Sequence, residues 1–533
     1  MRRSHLFLLS GAALVLGTGA HAQSADSARI IDEGMNRSQV MLTASQLMDG
    51  IGSRLTNSRN LDRAEEWALA KLRSYGLANV RREPFEFGRG WNMTSSKARM
   101  VEPRVIEMTA IPVAWTPGTA GTLRAPIVVA PISKVEHLAA WRGKLSGKIV
   151  LLTMPGVSDE PKEAAFKRLS DKDIGDEDNY NLPTYDPETL DRRLKRFQFA
   201  KQVDAFLKAE GALAWVRKSY RDGKLLHGEG YSYLPNHSPA LPGFELAAED
   251  YRRLARLAKT GPAPVIELMS DAQFDDSDHL ANNIIAEIPG TDPRAGYVMA
   301  GAHFDSWIAG DGAADNGAGS AVVIEAARIL RTLGVRPKRT IRFALWEGEE
   351  QGLLGSRAYI EQHLVNRATP PGMDGITAYF SWLNRFPLSK KPGYDQLKAY
   401  FNMDNGSGKF RGIYAEGNAA AVPLLSEWMA PFNSLGAQAV VAGKTGGTDH
   451  VFMQAVGLQG YQFIQDPLDY ESRVHHSSID TLDHLRADDM RQAAVVMAGM
   501  LLAAANSDRE IPRPPLPTQP LPTDPFAYVD PDE

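Results

Sequence analysis

The 533-residue sequence contains no cysteine. That single absence excludes disulfide bonds, thiol nucleophiles and thiolate metal ligands, so stability must come from core burial and from any bound ion. Apart from residues 6–16, no apolar run approaches the length that a membrane-spanning helix needs. An excess of basic residues is missing too. Lys and Arg number 59 against 64 Asp and Glu, a formal charge of −5, and such mild acidity argues against nucleic acid as a partner. Two catalytic signatures are also lacking. AGKTGG at 442–447 looks like part of a phosphate loop, but the glycine that G-x-x-x-x-G-K-T requires is Gln438. No G-x-S-x-G surrounds Ser320 or Ser407, which removes the serine-hydrolase elbow.

What is present begins with an address. Arg2 and Arg3 precede the apolar stretch, and Ala20-His21-Ala22 forms an A-x-A cleavage pattern followed by polar QSADS. Residues 1–22 therefore read as a secretory signal peptide removed after Ala22. Its removal leaves 57 basic residues against 64 acidic ones, a charge of −7. The mature chain is expected to be secreted or periplasmic, without a stable membrane anchor.

The centre of the sequence is GAHFDSWIAGDGAADNGAGS at 301–320. It follows an apolar run and precedes a helical pattern, with Ala321, Ile324, Ala327 and Leu330 on one stripe and Gly334 as the stop. His303 and Asp305, one residue apart at a strand end, share a face, and Asp315 follows in the loop. The order strand, polar loop, helix places candidate ligands at the carboxyl end of a strand, where sites gather in open α/β sheets. Four later stretches repeat the pattern. TIRFALWEGEEQGLLGS at 340–356 runs into Glu349 and Glu350, and AYFNMDNGSG at 399–408 ends on Asp404. TGGTDH at 445–450 precedes the strand-like GYQFI, and in VHHSSIDTLDHL at 474–485 His476 stands four residues before Asp480. Histidines and carboxylates without thiolates suit zinc, or cobalt or manganese in its place, and one carboxylate can bridge two ions. Of the adjacent Glu349 and Glu350, one is expected to bind metal and the other to act as general base. Asp449 and His450 read equally as a Gly-rich turn with an Asx bond or as substrate-binding residues; His484 reads as a helix-surface residue, and Arg411 and Arg473, which could bind a substrate carboxylate, as exposed by default.

The set H-x-D, D-N-G, E-E-x-G-L-x-G-S, M-D-N and H-x-x-x-D-T resembles the co-catalytic zinc exopeptidase family of aminopeptidase Y, plasma glutamate carboxypeptidase (carboxypeptidase Q) and glutaminyl cyclase. The resemblance implies two Zn2+, one held by His303 and Asp404, the other by Glu350 and His476, with Asp315 shared. It also implies Glu349 as the base and Asp305 as the residue that orients His303. The spacing to Asp480 favours His476 over His475 as the last ligand. The implied fold is α/β: a three-layer α/β/α domain around a mostly parallel mixed sheet. The implied activity is hydrolysis of peptide bonds at a chain terminus or in dipeptides. DSW after the first histidine, EEQG and VHHSSIDT are most similar to the carboxypeptidase Q branch. Aminopeptidases share the metal set, and receptor-like relatives that have lost ligands serve as binding proteins.

Elsewhere, residues 38–50 and 60–75 read as amphipathic helices, with Asn60 a candidate cap and Gly76 a terminator, and 80–87 reads as a strand. Residues 23–101 are expected to form the first part of the peptidase domain. Residues 102–265 resemble an inserted, β-rich protease-associated domain, within which 158–196 is expected to be a solvated helix pair or mobile loop. Residues 266–508 complete the peptidase domain, and 509–533 form a proline-rich tail that is expected to be extended. The expected partner is a peptide or dipeptide substrate; a homodimer is left open by the sequence.

Overall fold

The computed structural model describes residues 16–158, 160, 164–179, 189–230 and 238–520. Residues 1–15 of the expected signal peptide and residues 521–533 of the expected tail lie outside them, as do parts of the charged excursion. Helix α1, Leu16–Asn36, passes through the expected cleavage point after Ala22. Ser27, Ile30, Glu33 and Gly34 of this helix are buried. No helix among the described residues is long and apolar enough to cross a membrane.

Eight strands form the main sheet: β1 (Ala78–Glu86), β2 (Leu280–Ile288), β3 (Tyr297–His303), β4 (Thr340–Trp346), β5 (Leu397–Asn402), β6 (Phe410–Tyr414), β7 (Ala439–Val441) and β8 (Gly460–Gln465). Their spatial order is β1-β2-β4-β3-β5-β8-β6-β7. The central run β4-β3-β5-β8 is parallel, β6 and β7 pair in parallel at one edge, and antiparallel pairings join β1 to β2, β2 to β4 and β6 to β8. The sheet is therefore mixed.

Strand alternation builds two cores. Val298, Ala300 and Ala302 of β3 and Ile341, Phe343 and Leu345 of β4 face one layer of helices. Tyr297, Met299, Ala344 and Trp346 face the other side. The first layer contains α1, α2 (Val40–Met48), α3 (Arg59–Ser74), α4 (Ala318–Thr332) and α5 (Ala487–Asn506). Every residue of α4 from Ala318 to Leu330 is buried, not one stripe alone, because α1, α2 and α5 cover the sides that a surface helix would leave wet. At α3 the cap is Ser58, whose side chain accepts from Leu61 N, and not Asn60, whose amide instead donates to the carbonyls of Ile51 and Ser53. Gly76 follows the helix at φ +75°.

A second eight-stranded sheet is built entirely between Ser96 and Ser270. Its strands Ser96–Glu102 and Val265–Ser270 pair antiparallel, and Leu123–Val129, Ile149–Leu151, Ala214–Lys218 and Gly243–Leu246 run parallel. The described part of the charged excursion holds the helices Asp171–Asp176 and Thr189–Ala209 and is mostly exposed, but residues 167 and 168 tie it to the main domain. Lys167 and Leu468 exchange two main-chain hydrogen bonds, and Arg168 pairs with the buried carboxylates of Asp466 (2.8 Å) and Asp489 (2.9 Å). Charges that look solvated in sequence are here matched by buried partners nearly 300 residues later.

Candidate metal centre

His303 ends β3, and its main-chain oxygen is fixed by Ser320 Oγ of α4 at 2.8 Å. Its Nδ1 lies 3.0 Å from the main-chain oxygen of Asp305, so that carbonyl, rather than the Asp305 carboxylate at 3.6 Å, orients the ring. The Asp305 carboxylate accepts instead from Thr56 Oγ1 at 2.9 Å and from the N–H groups of Glu349 and Glu350, each at 3.3 Å. It thereby ties the end of β4 to the end of β3.

His303 Nε2 faces three carboxylates: Asp315 Oδ1 at 3.1 Å, Asp404 Oδ1 at 3.3 Å and Glu349 Oε2 at 4.0 Å. The other oxygen of Asp315 faces His476 Nε2 at 3.2 Å, which lies 3.0 Å from Glu350 Oε2. Asp315 thus stands between the two histidines with one oxygen toward each. His475 Nε2 is 3.5 Å from the same Asp315 oxygen, and its ring packs on Tyr470. His476 Nε2 reaches both Asp315 and Glu350 within 3.2 Å, whereas of these two carboxylates His475 approaches only Asp315.

The loop that carries Asp315 is held by two buried groups. Asp480 accepts the N–H groups of Ala314 (2.6 Å) and Asp315 (3.1 Å). Arg54, 0% exposed, donates to the carbonyls of Phe304 (2.7 Å), Gly52 (2.9 Å), Asp311 (2.7 Å) and Gly312 (2.8 Å). No sequence signal marked Arg54: it lies about 250 residues before the loop it binds.

The charge distribution explains what such a cluster needs. Burial pushes the Glu349 carboxyl well above its usual range, opposed by His303 and reinforced by Asp404, Asp449 and Glu350. Burial likewise raises Glu350 to about 7 against the pull of His476. For Asp315 burial is outweighed by the hydrogen bonds of His303 and His476, which hold it well below the usual carboxylate range. Among the described residues, Glu350 Oε1 is buried without a hydrogen-bond donor. Unsatisfied buried acceptors are costly, and a divalent cation satisfies them. Three overlapping groups have donor atoms close enough for one ion: His303 with Asp315 and Glu350, His303 with Glu349 and Asp404, and Asp315 with His475 and His476. The all-nitrogen and oxygen donor set fits zinc.

Glu349, Glu350, Asp315, Asp404 and His476 open into a cavity of about 750 Å³. Arg193 and Arg196, on the helix Thr189–Ala209 of the charged excursion, form part of its wall. The TGGTDH turn also contributes more than a turn. Gly446, Gly447 and Thr448 line the cavity, while Asp449 and His450 are fully buried beneath them. His450 Nε2 lies 3.1 Å from Glu416, and burial lifts Asp449 to about 7. Outside the cavity two expectations of exposure fail. His484 is largely buried and bonded to Asp469 at 2.8 Å, and Arg411 is largely buried against Asp466 at 3.1 Å; Arg473 is about half exposed and pairs with Asp469.

Residues 283–501 match the family model described as peptidase family M28. Carboxypeptidase Q of Bos taurus is 27% identical over 499 residues, covering 93% of this chain and 91% of that protein. Carboxypeptidase Q of Homo sapiens is 26% identical, covering 94% and 92%. Among solved structures, a peptidase M28 precursor from Shewanella amazonensis superimposes with a TM-score of 0.64 at 24% identity, covering 94% of this chain and all of the other. A zinc aminopeptidase from Bacillus subtilis gives 0.57 at 18% identity, covering 89% and 96%.

Proposed function

We propose that this chain, whose residues 283–501 match the peptidase family M28 model and which is 27% identical to carboxypeptidase Q of Bos taurus, is an exported metallo-exopeptidase with two zinc ions and carboxypeptidase or dipeptidase action. What carries this reading is Asp315, placed with one carboxylate oxygen toward His303 and the other toward His476, beside Glu349 in the wall of one cavity. His303 and Asp404 would hold one ion, Glu350 and His476 the other, and Asp315 both. Bound zinc supplies Lewis-acid polarisation of the scissile carbonyl and lowers the pKa of water at the site. The rest falls to the chain. Glu349 takes a proton from the attacking water and hands it to the leaving amine nitrogen, a role suited to a carboxyl whose proton affinity burial has raised. The Asp305 carboxylate fixes the main chain that presents Glu349 and Glu350. The second sheet, with the helix Thr189–Ala209, fits an inserted protease-associated domain that lends Arg193 and Arg196 to the cavity wall.

Those two arginines favour a substrate with a free carboxylate, as do the carboxypeptidase Q relatives. Replacing both by alanine is expected to raise KM for a dipeptide about 3- to 10-fold with kcat little changed, as the loss of one ordinary exposed hydrogen bond would. The decisive substrates are an unblocked dipeptide and the same dipeptide amidated at its carboxylate. Hydrolysis of the free acid alone is expected. Hydrolysis of both would assign an aminopeptidase, and of neither, with zinc bound, a cyclase or binding role.

A further inference from the structure

The strand Ala214–Lys218 and residues 219–230 after it belong to the second sheet, yet they reach the last ligand-bearing loop of the first. Ser478 N donates to Leu226 O at 2.7 Å, Leu226 N donates to Ser478 Oγ at 3.2 Å, and Arg221 Nη1 donates to His475 O at 2.9 Å. Gly228 has φ +62°, and a Cβ there would meet Ala309, in the loop after His303, at 2.8 Å. Only glycine allows both the conformation and the approach. The consequence is a carboxylate delivered across the domain boundary: His476 Nδ1 donates to Glu229 Oε1 at 3.1 Å. Glu229 is itself fixed. Tyr220 OH donates to its carboxylate at 3.2 Å, and Arg217, paired with buried Glu245 at 2.7 Å, donates to its main-chain oxygen at 2.7 Å.

A neutral imidazole carries one N–H. An acceptor at Nδ1 places the hydrogen there and leaves the Nε2 lone pair free. In this chain Nε2 is the atom turned to Glu350 and Asp315. We propose that Glu229 is the positioning residue for His476 as a metal ligand, so that the second sheet completes the metal centre. This rests on the two-zinc reading above. Loss of such a partner typically weakens metal affinity about 10- to 100-fold.

The test is zinc affinity of the full-length chain, stripped of metal and titrated against a fluorescent chelator, with the thermal midpoint of each metal-free form measured alongside. The wild-type chain should take up two equivalents. Glu229→Ala should weaken one of them about 10- to 100-fold and leave the other unchanged, while Glu229→Gln, whose amide oxygen still accepts from Nδ1–H, should lose less. Wild-type affinity at both sites in Glu229→Ala would overturn the inference and leave the two-zinc reading standing. Equal loss at both sites in both variants, with a lowered metal-free midpoint, would assign Glu229 a purely architectural role and overturn it as well. Fewer than two equivalents in the wild-type chain would remove the two-zinc reading and this inference with it.

Discussion

Glu349→Gln is expected to lower turnover of a dipeptide by about 10²- to 10⁴-fold, the range that a positioned general base contributes, while the zinc content stays at the wild-type value. The substitution keeps the shape of the side chain and removes only its ability to take a proton. The two consequences separate because the proposed ligands of each ion are other residues, and because Glu349 Oε2 stands farther from His303, at 4.0 Å, than Asp315 or Asp404 does. Steady-state kinetics together with metal analysis of the same preparation check the prediction. Turnover within a few-fold of wild type would assign the proton transfer to another group.

The second large effect is expected on stability. Arg54→Met removes five side-chain donors from a buried position and leaves the carbonyls of Phe304, Asp311 and Gly312 without the donors they have now. Burial draws the guanidinium down to about 10, against the opposing charges of Asp480 and Asp305, so its positive charge is also part of what lets these carboxylates sit together. Each unsatisfied buried acceptor costs about 1–3 kcal/mol, and unpairing a buried charge about 3–5 kcal/mol. A loss of at least about 3 kcal/mol is therefore expected in denaturant unfolding of the metal-free chain. A change below about 1 kcal/mol, the size of an ordinary surface substitution, would mean that the loop after His303 is held by other contacts.

The residues that meet at the centre were legible because most lie at or just past the end of an apolar strand, and strands of one sheet bring their ends together. His303 is the last residue of β3, Glu349 and Glu350 follow β4, and Asp404 follows β5, whereas Asp315 and His476 sit in loops farther on. Local pattern also located α3 and α4 within a residue or two of their ends. What local pattern cannot supply is the partner of a charged residue. Arg54, Arg168 and Glu229 look like solvated residues in sequence, and each acquires its meaning from a group hundreds of residues away. The same limit explains His484 and Arg411, whose carboxylate partners are Asp469 and Asp466. Periodicity underestimated the burial of α4 for a related reason: small residues such as Ala318, Gly319 and Ser320 read as neutral until neighbouring helices close over them.

Asp305 illustrates a subtler gap. The family resemblance implies that its side chain orients His303. In the folded chain its main-chain oxygen lies nearer to His303 Nδ1, at 3.0 Å, than its carboxylate does, at 3.6 Å, and the carboxylate also holds the turn bearing Glu349 and Glu350. One residue thus couples the first metal motif to the second, and its loss should disturb both.

The most direct test of the two-zinc exopeptidase reading is to titrate zinc into the metal-free chain while following hydrolysis of an unblocked dipeptide. Two equivalents bound, with activity absent at zero metal and complete at the second equivalent, is the predicted result. Full hydrolysis by the metal-free chain, or no zinc bound at any concentration that leaves the chain folded, would contradict it.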